Sequence, residues 1–284
     1  VAVSNAAGKR KSKPLFIQGK TALVATATQP NLHLLAIGPK LDLNYTEKDA
    51  QDFAQLFNNQ SSESKLGLYN KIETQLLTGT KAKTLDISKA INHLRVKMET
   101  GNITSNDLVI LFISSHGLIS GEERKFRIEG EDFDPDNPKF TSIVYEEDIL
   151  PVLNDLPCKK LLFIDACHSG IGGAKSSQRT MSINRAISRL NKQRAGLAVI
   201  SSSRENEASF EDKHWENGAF TEGILRGLGQ GLADTDQDKV ITVNELYDYL
   251  KIQVPKMVQK EKNKPQHPIM ISNGMGNIPL FAVE

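Results

Sequence analysis

Cysteine, tryptophan, long apolar runs and any excess of charge are scarce in this 284-residue chain. Its two cysteines, Cys158 and Cys167, cannot make a disulfide framework. No stretch is apolar enough to span a bilayer, and the start lacks a signal-peptide pattern. Lysine and arginine total 35 against 34 acidic residues, a formal net charge of +1. That balance gives no overall electrostatic footprint for nucleic acid or an anionic membrane. Together these absences predict a cytoplasmic protein with reduced thiols. Val1 stands where an initiator Met would, so a longer parent polypeptide or complex is expected. No internal repeat is visible.

What is present is an alternation of apolar runs and amphipathic stretches. With 39% hydrophobic and 24% charged residues, the chain can bury a sizeable core. Residues 1–30 read as an extension with a basic run at 8–13. Strands are predicted at 31–38, 72–77, 108–114, 160–165, 196–201 and 277–283. Helices are predicted at 45–58, with Thr46 as N-cap, and at 84–98, 145–153, 218–228 and 244–258. Residues 121–141 read as a charged surface hairpin and loop, and 171–194 as a long basic connection. This alternation predicts an α/β fold, a mostly parallel sheet with helices on both faces.

Two of the apolar runs end in reactive residues. LVILFISSHG, residues 108–117, delivers His116, and LLFIDACHSG, residues 161–170, delivers Cys167. Ligands of parallel sheets sit outside the carboxyl ends of the strands, where two neighbouring strands would bring thiol and imidazole together. The thiolate is the attacking species, so Cys167 needs a base, which His116 supplies. The backbone N–H groups of Gly117 and Cys167 are candidate donors to the oxyanion.

A histidine 51 residues before the cysteine resembles the caspase pattern, with Asp165 in place of the usual Gln two residues before the nucleophile. Asp-x-Cys-x-Ser-Gly with Ser-x-His-Gly is more similar to the metacaspase and bacterial caspase-like branch of the same peptidase clan, C14. The resemblance implies a three-layer sandwich around a mostly parallel six-stranded sheet over residues 31–284. It divides that domain into a larger portion at 31–170, a basic linker at 171–195 and a smaller portion at 196–284. It implies peptide-bond hydrolysis by Cys167 and His116 with no cofactor in the chemical step. By the same resemblance Asp49, Ser114 and Asp165 form an acidic pocket for a substrate Arg or Lys. Asp49 also suits a plain acid in the first turn of a helix. Arg204 stands about where caspases carry a pocket arginine.

An Arg/Lys peptidase with exposed arginines in its linker is expected to cut itself there, at Arg179, Arg185, Arg189 or Arg194. An inert loop is the alternative. Asp234, Asp236, Asp238, Thr242 and Glu245 occupy ligand positions of an EF-hand-like Ca²⁺ loop. Lys239 replaces the glycine at its turn, so a solvated acidic loop is the other reading. Metacaspases are commonly Ca²⁺-activated elsewhere, which points loosely to Glu146 and Glu147. His33, His93, His214 and His267 show no ligand spacing, Cys158 before a buried strand reads as an inert thiol, His168 next to the nucleophile reads as a substrate-side or surface residue and not the base, and Trp215 suits either the cleft or the core. The expected partner is a protein or peptide substrate, and monomer against dimer is open. A caspase-fold scaffold without activity, or a peptidase of different preference, are the competing readings.

Overall fold

The structure, a computed structural model, describes residues 29–64, 66–120, 125–167, 196–204, 207–272 and 274–284. Most of the N-terminal extension, His168, and the linker with Arg179, Arg185, Arg189 and Arg194 lie outside the described residues.

The chain opens with β1 (Leu32–Gly38), α1 (Thr46–Leu56), β2 (Ile72–Thr78) and α2 (Thr84–Glu99). There follow β3 (Leu108–Ser120), β4 (Lys125–Glu129), β5 (Ser142–Val144), α3 (Leu150–Asp155) and β6 (Lys159–Cys167). Next come β7 (Leu197–Ser201), the two-residue β8 (Glu211–Asp212) and β9 (Asn217–Gly218), and α4 (Ala219–Ile224). The chain closes with β10 (Val240–Thr242), α5 (Val243–Lys262), β11 (Ile269–Ser272) and β12 (Pro279–Ala282).

The main sheet runs β11-β7-β6-β3-β1-β2. All neighbours in it are parallel except β11, which lies antiparallel on β7. Because both faces are covered, the central strands are apolar throughout rather than alternating. One face carries Leu108, Ile110, Phe112, Leu161 and Phe163 against α1, α4 and α5, with Phe53 stacked on Phe112 at 4.3 Å between ring centroids. The other carries Val109, Leu111, Ile113, Leu162 and Ile164 against α2 and α3. Burying each such side chain contributes about 1.5–3 kcal/mol. The predicted three-layer sandwich is therefore present. No helix among the described residues is long and apolar enough to cross a membrane.

Three details differ from the sequence reading. The strand predicted at 277–283 does not enter the main sheet: β12 pairs with β10 in a separate ribbon, and the sixth strand is β11. Four residues at a sheet edge, Ile-Met-Ile-Ser, are too short to show a period. Thr46 does not cap α1; its hydroxyl donates to the Pro39 carbonyl at 2.6 Å and ties the helix to the end of β1. Finally, β3 continues past His116 to Ser120, pairing antiparallel with β4, whose Phe126 and Ile128 are buried. The charged hairpin at 121–141 thus has one arm in the core.

Candidate active site

Register alone brings the reactive positions together. Along the parallel pair β3 and β6, Ser114 faces Asp165 and His116 faces Cys167. Residues two apart share a sheet face, and neighbouring strands lie about 4.8 Å apart. Ser114, His116, Asp165 and Cys167 therefore form a block of four positions on the face covered by α1, α4 and α5.

His116 is buried, and its Nε2 is hydrogen-bonded to Asp42 in the loop between β1 and α1. That bond, aided by electrostatic attraction to the His116 ring, holds the Asp42 carboxyl below the usual carboxylate range. Ser115 belongs to the opposite face, where its hydroxyl donates to the Glu129 carbonyl at 2.7 Å and fixes β3 to β4. Burial pushes the Glu129 carboxyl up, an effect partly offset by His116. Gly117 is required by packing: a Cβ there would lie 2.7 Å from the Phe126 ring and 3.2 Å from Ala166.

The three pocket residues read from the sequence also converge. Asp49 is only 3% exposed and accepts hydrogen bonds from the Ser114 hydroxyl at 2.8 Å and the Gly218 N–H at 2.9 Å. It is thus no solvent-facing first-turn acid. Asp165, 4% exposed, accepts from the Ser209 hydroxyl at 2.6 Å and the Thr221 hydroxyl at 3.1 Å, and from Ser202. Burial raises the Asp49 carboxyl well above its ordinary range, with the charge of Asp165 adding to the rise. Burial raises Asp165 as well, against the opposing pull of its hydrogen bonds. Gly218 lies directly over the pair: a Cβ there would stand 2.6 Å from Asp165 Oδ2 and 3.3 Å from Asp49 Oδ2. Arg204 is exposed, and its backbone N–H donates to Glu207. Trp215 belongs to the core.

Of the five loop ligands, the carboxylates of Asp234, Asp236 and Glu245 come within 4.8 Å of one another and could hold a cation. Asp238 and Thr242 do not join them. Asp238 accepts from the Val240 N–H at 2.8 Å, while Thr242 caps α5 in a reciprocal capping box with Glu245. Glu245 also accepts from the N–H and hydroxyl of Thr235, both at 3.1 Å. Lys239 adopts φ 72°, so it makes the turn that a glycine usually provides. Glu146 and Glu147 have separate roles, one accepting from the Phe126 N–H and the other paired with Lys125. Cys158 is buried, which pushes its thiol up to about 11. His214 and His267 pair with Asp212 and Glu207, each at 2.7 Å.

Sequence reasoning missed Asp42, Ser209, Gly218 and Thr221. The Asn217-Gly218 step before α4 was the one available signal, since glycine at a strand end marks a close approach. The others sit in loops or a helix turn with no motif of their own.

A family model described as a caspase domain matches residues 34–276. Among solved structures, protein GSU0716 from Geobacter sulfurreducens is similar with a TM-score of 0.59 at 16% identity, over 90% of this chain and 100% of that one. The Drosophila initiator caspase Dronc gives 0.47 at 14% identity, over 97% and 94% of the two chains. Caspase-1 from Spodoptera frugiperda gives 0.45 at 13%, over 86% of each. A comparison with curated proteins found no match. With the family model spanning most of the described sheet and both reactive positions within it, the chain belongs to the caspase-domain family, peptidase C14.

Proposed function

We propose that the chain is a cysteine endopeptidase that cuts after Arg or Lys. The observation that carries this reading is the buried carboxylate pair of Asp49, on α1, and Asp165, two residues before the nucleophile position on β6, with no ion pair to either among the described residues. Two acids held together with no counter-charge disfavour each other's ionisation. An arriving guanidinium relieves that repulsion and donates paired hydrogen bonds to the carboxylates, whereas an ammonium acts there as a point charge.

The chemistry follows from the block of four positions. His116 takes the Cys167 proton, and the thiolate attacks the carbonyl carbon of the bound basic residue. The N–H groups of Gly117 and Cys167 are the proposed donors to the oxyanion. Collapse breaks the C–N bond, and the imidazolium returns its proton to the leaving amine. His116 then deprotonates a water that attacks the thioester, releasing the acid and restoring the thiol. Thiol, imidazole and backbone amides suffice for these steps. The arginines at 179, 185, 189 and 194 are substrates of the same specificity, so self-cutting belongs to the proposal.

A fluorogenic peptide library varied at the residue before the cut tests the reading. Turnover confined to Arg and Lys peptides, with Cys167 labelled by an Arg-bearing chloromethyl ketone, is expected. Turnover of Asp peptides alone would refute the specificity, and an unlabelled Cys167 would favour a scaffold.

A further inference from the structure

We propose that Asp42 is a positioning residue for His116, fixing the imidazole as its Nε2–H tautomer, and that Glu211 holds the Asp42 loop in place. The inference rests on the peptidase reading and adds to its two reacting groups a residue that orients the base and a clamp that holds it.

The tautomer follows from what Asp42 is. An ionised carboxylate only accepts, so the ring nitrogen bonded to it must carry the hydrogen. In the neutral ring the lone pair then sits on Nδ1, the nitrogen left to take the thiol proton. The imidazolium so formed already has a carboxylate against Nε2, so the charge that develops during proton transfer meets a preorganised partner. The opposite tautomer would carry its lone pair on Nε2, facing the Asp42 carboxylate, and a hydrogen on Nδ1.

A carboxylate as open to water as Asp42, 85% exposed at its side chain, gains little from Coulomb attraction alone. Its value lies in geometry, so its loop has to be held. Glu211 does this: its carboxylate accepts the Asn44 N–H at 3.0 and 3.1 Å, the Asn44 side-chain amide at 2.6 Å and the Tyr45 N–H at 3.3 Å. The anchor points lie two and three residues after Asp42, with Thr46 fastened to Pro39 just beyond. Glu211 is moreover the register partner of Gly218 in the β8–β9 ribbon. One rung of that ribbon therefore touches both the acidic pair, through Gly218, and the loop that orients the base, through Glu211.

The test uses the full chain as wild type, Asp42→Asn, Asp42→Glu and Glu211→Ala. Two quantities are measured: kcat and KM on an Arg reporter peptide, and the rate of Cys167 alkylation by iodoacetamide across pH, located by mass spectrometry. Removing the orienting acid of a buried triad costs about 10⁴-fold in rate. For an exposed Asp42 a loss of about 10- to 100-fold in kcat is expected, with KM within about twofold of wild type. The acid limb of the alkylation profile should move to higher pH, Asp42→Glu should recover part of both effects, and Glu211→Ala should show a smaller loss of the same kind. Unchanged kcat and an unchanged alkylation profile in Asp42→Asn would overturn the inference. A faster Asp42→Asn would also overturn it, showing that Asp42 obstructs the base. If wild type cuts no peptide, the peptidase reading fails, while the alkylation profiles still decide the role of Asp42.

Discussion

Asp49 and Asp165 reach the same ground beneath Gly218 from different elements, α1 and β6, and the charge of Asp165 adds to burial in raising Asp49's cost of ionising. Both acids are hydrogen-bonded, yet neither is ion-paired among the described residues. The arrangement holds free energy that a positively charged side chain can release. On the proposed reading, function and stability are set against each other at this one place.

Replacing Asp49 or Asp165 by Asn should abolish turnover of Arg peptides and at the same time stabilise the fold. The sign follows from linkage: an acid raised in the folded state adds stability below its ordinary value, and that stability is lost as pH rises. The variants should thus gain over wild type from about pH 4 upward, most at alkaline pH. Thermal unfolding at several pH values measures this, with about 2–4 °C in Tm for each kcal/mol in a domain of this size. Equal Tm values at all pH would contradict it.

Gly218→Ala should weaken basic-substrate recognition without touching the nucleophile. The added methyl meets Asp165 Oδ2 at 2.6 Å and Asp49 Oδ2 at 3.3 Å, so the carboxylates must move. Overpacking of this kind costs about 1–3 kcal/mol in stability. KM for an Arg reporter should rise about tenfold or more, by analogy with one misplaced polar contact of ~1.4 kcal/mol. Iodoacetamide alkylation of Cys167 should keep its wild-type rate.

At the start of α5, Glu245→Ala removes the capping partner of Thr242 and the acceptor for Thr235. A loss of about 1 kcal/mol in denaturant unfolding is expected. Lys239→Gly should have the opposite sign, because φ 72° strains any side chain with a Cβ. A gain below about 1 kcal/mol is expected, since glycine's greater unfolded-state freedom offsets part of the relief.

His33 should contribute an acid-side loss of stability. The ring is 2% exposed, 3.4 Å from Glu73 and 3.9 Å from Asp107. Burial lowers its pKa, with the nearby Lys97 charge acting in the same direction and Glu73 and Asp107 against it. A base with a depressed folded pKa adds stability above its ordinary value of about 6.5 and loses it as pH falls. His33→Leu should therefore gain on wild type between about pH 7 and about pH 5 when the two are unfolded side by side. A constant difference across that range would rule the contribution out.

Much of this architecture was legible because buried parallel strands are written as unbroken apolar runs. The runs ending at His116 and Cys167 gave two adjacent strands, and period-two alternation put Asp165 on the nucleophile's face. Asp49 was legible only through family resemblance, and the structure adds its burial against Ser114 and Gly218. What the sequence hid was long-range. Asp42 meets His116 across 74 residues, and Glu211 meets Asn44 across 167, pairings that leave no local pattern. The edge strand β11 was hidden by shortness, and the strand at β12 was legible while its place outside the main sheet was not, because pairing partners are not written in a strand's own residues.

The most direct test is to map cleavage sites in a whole-proteome digest by wild type against Cys167→Ala. New termini following Arg or Lys, present with wild type and absent with the variant, are the predicted result. Termini following Asp, or the same termini from both proteins, would contradict the account.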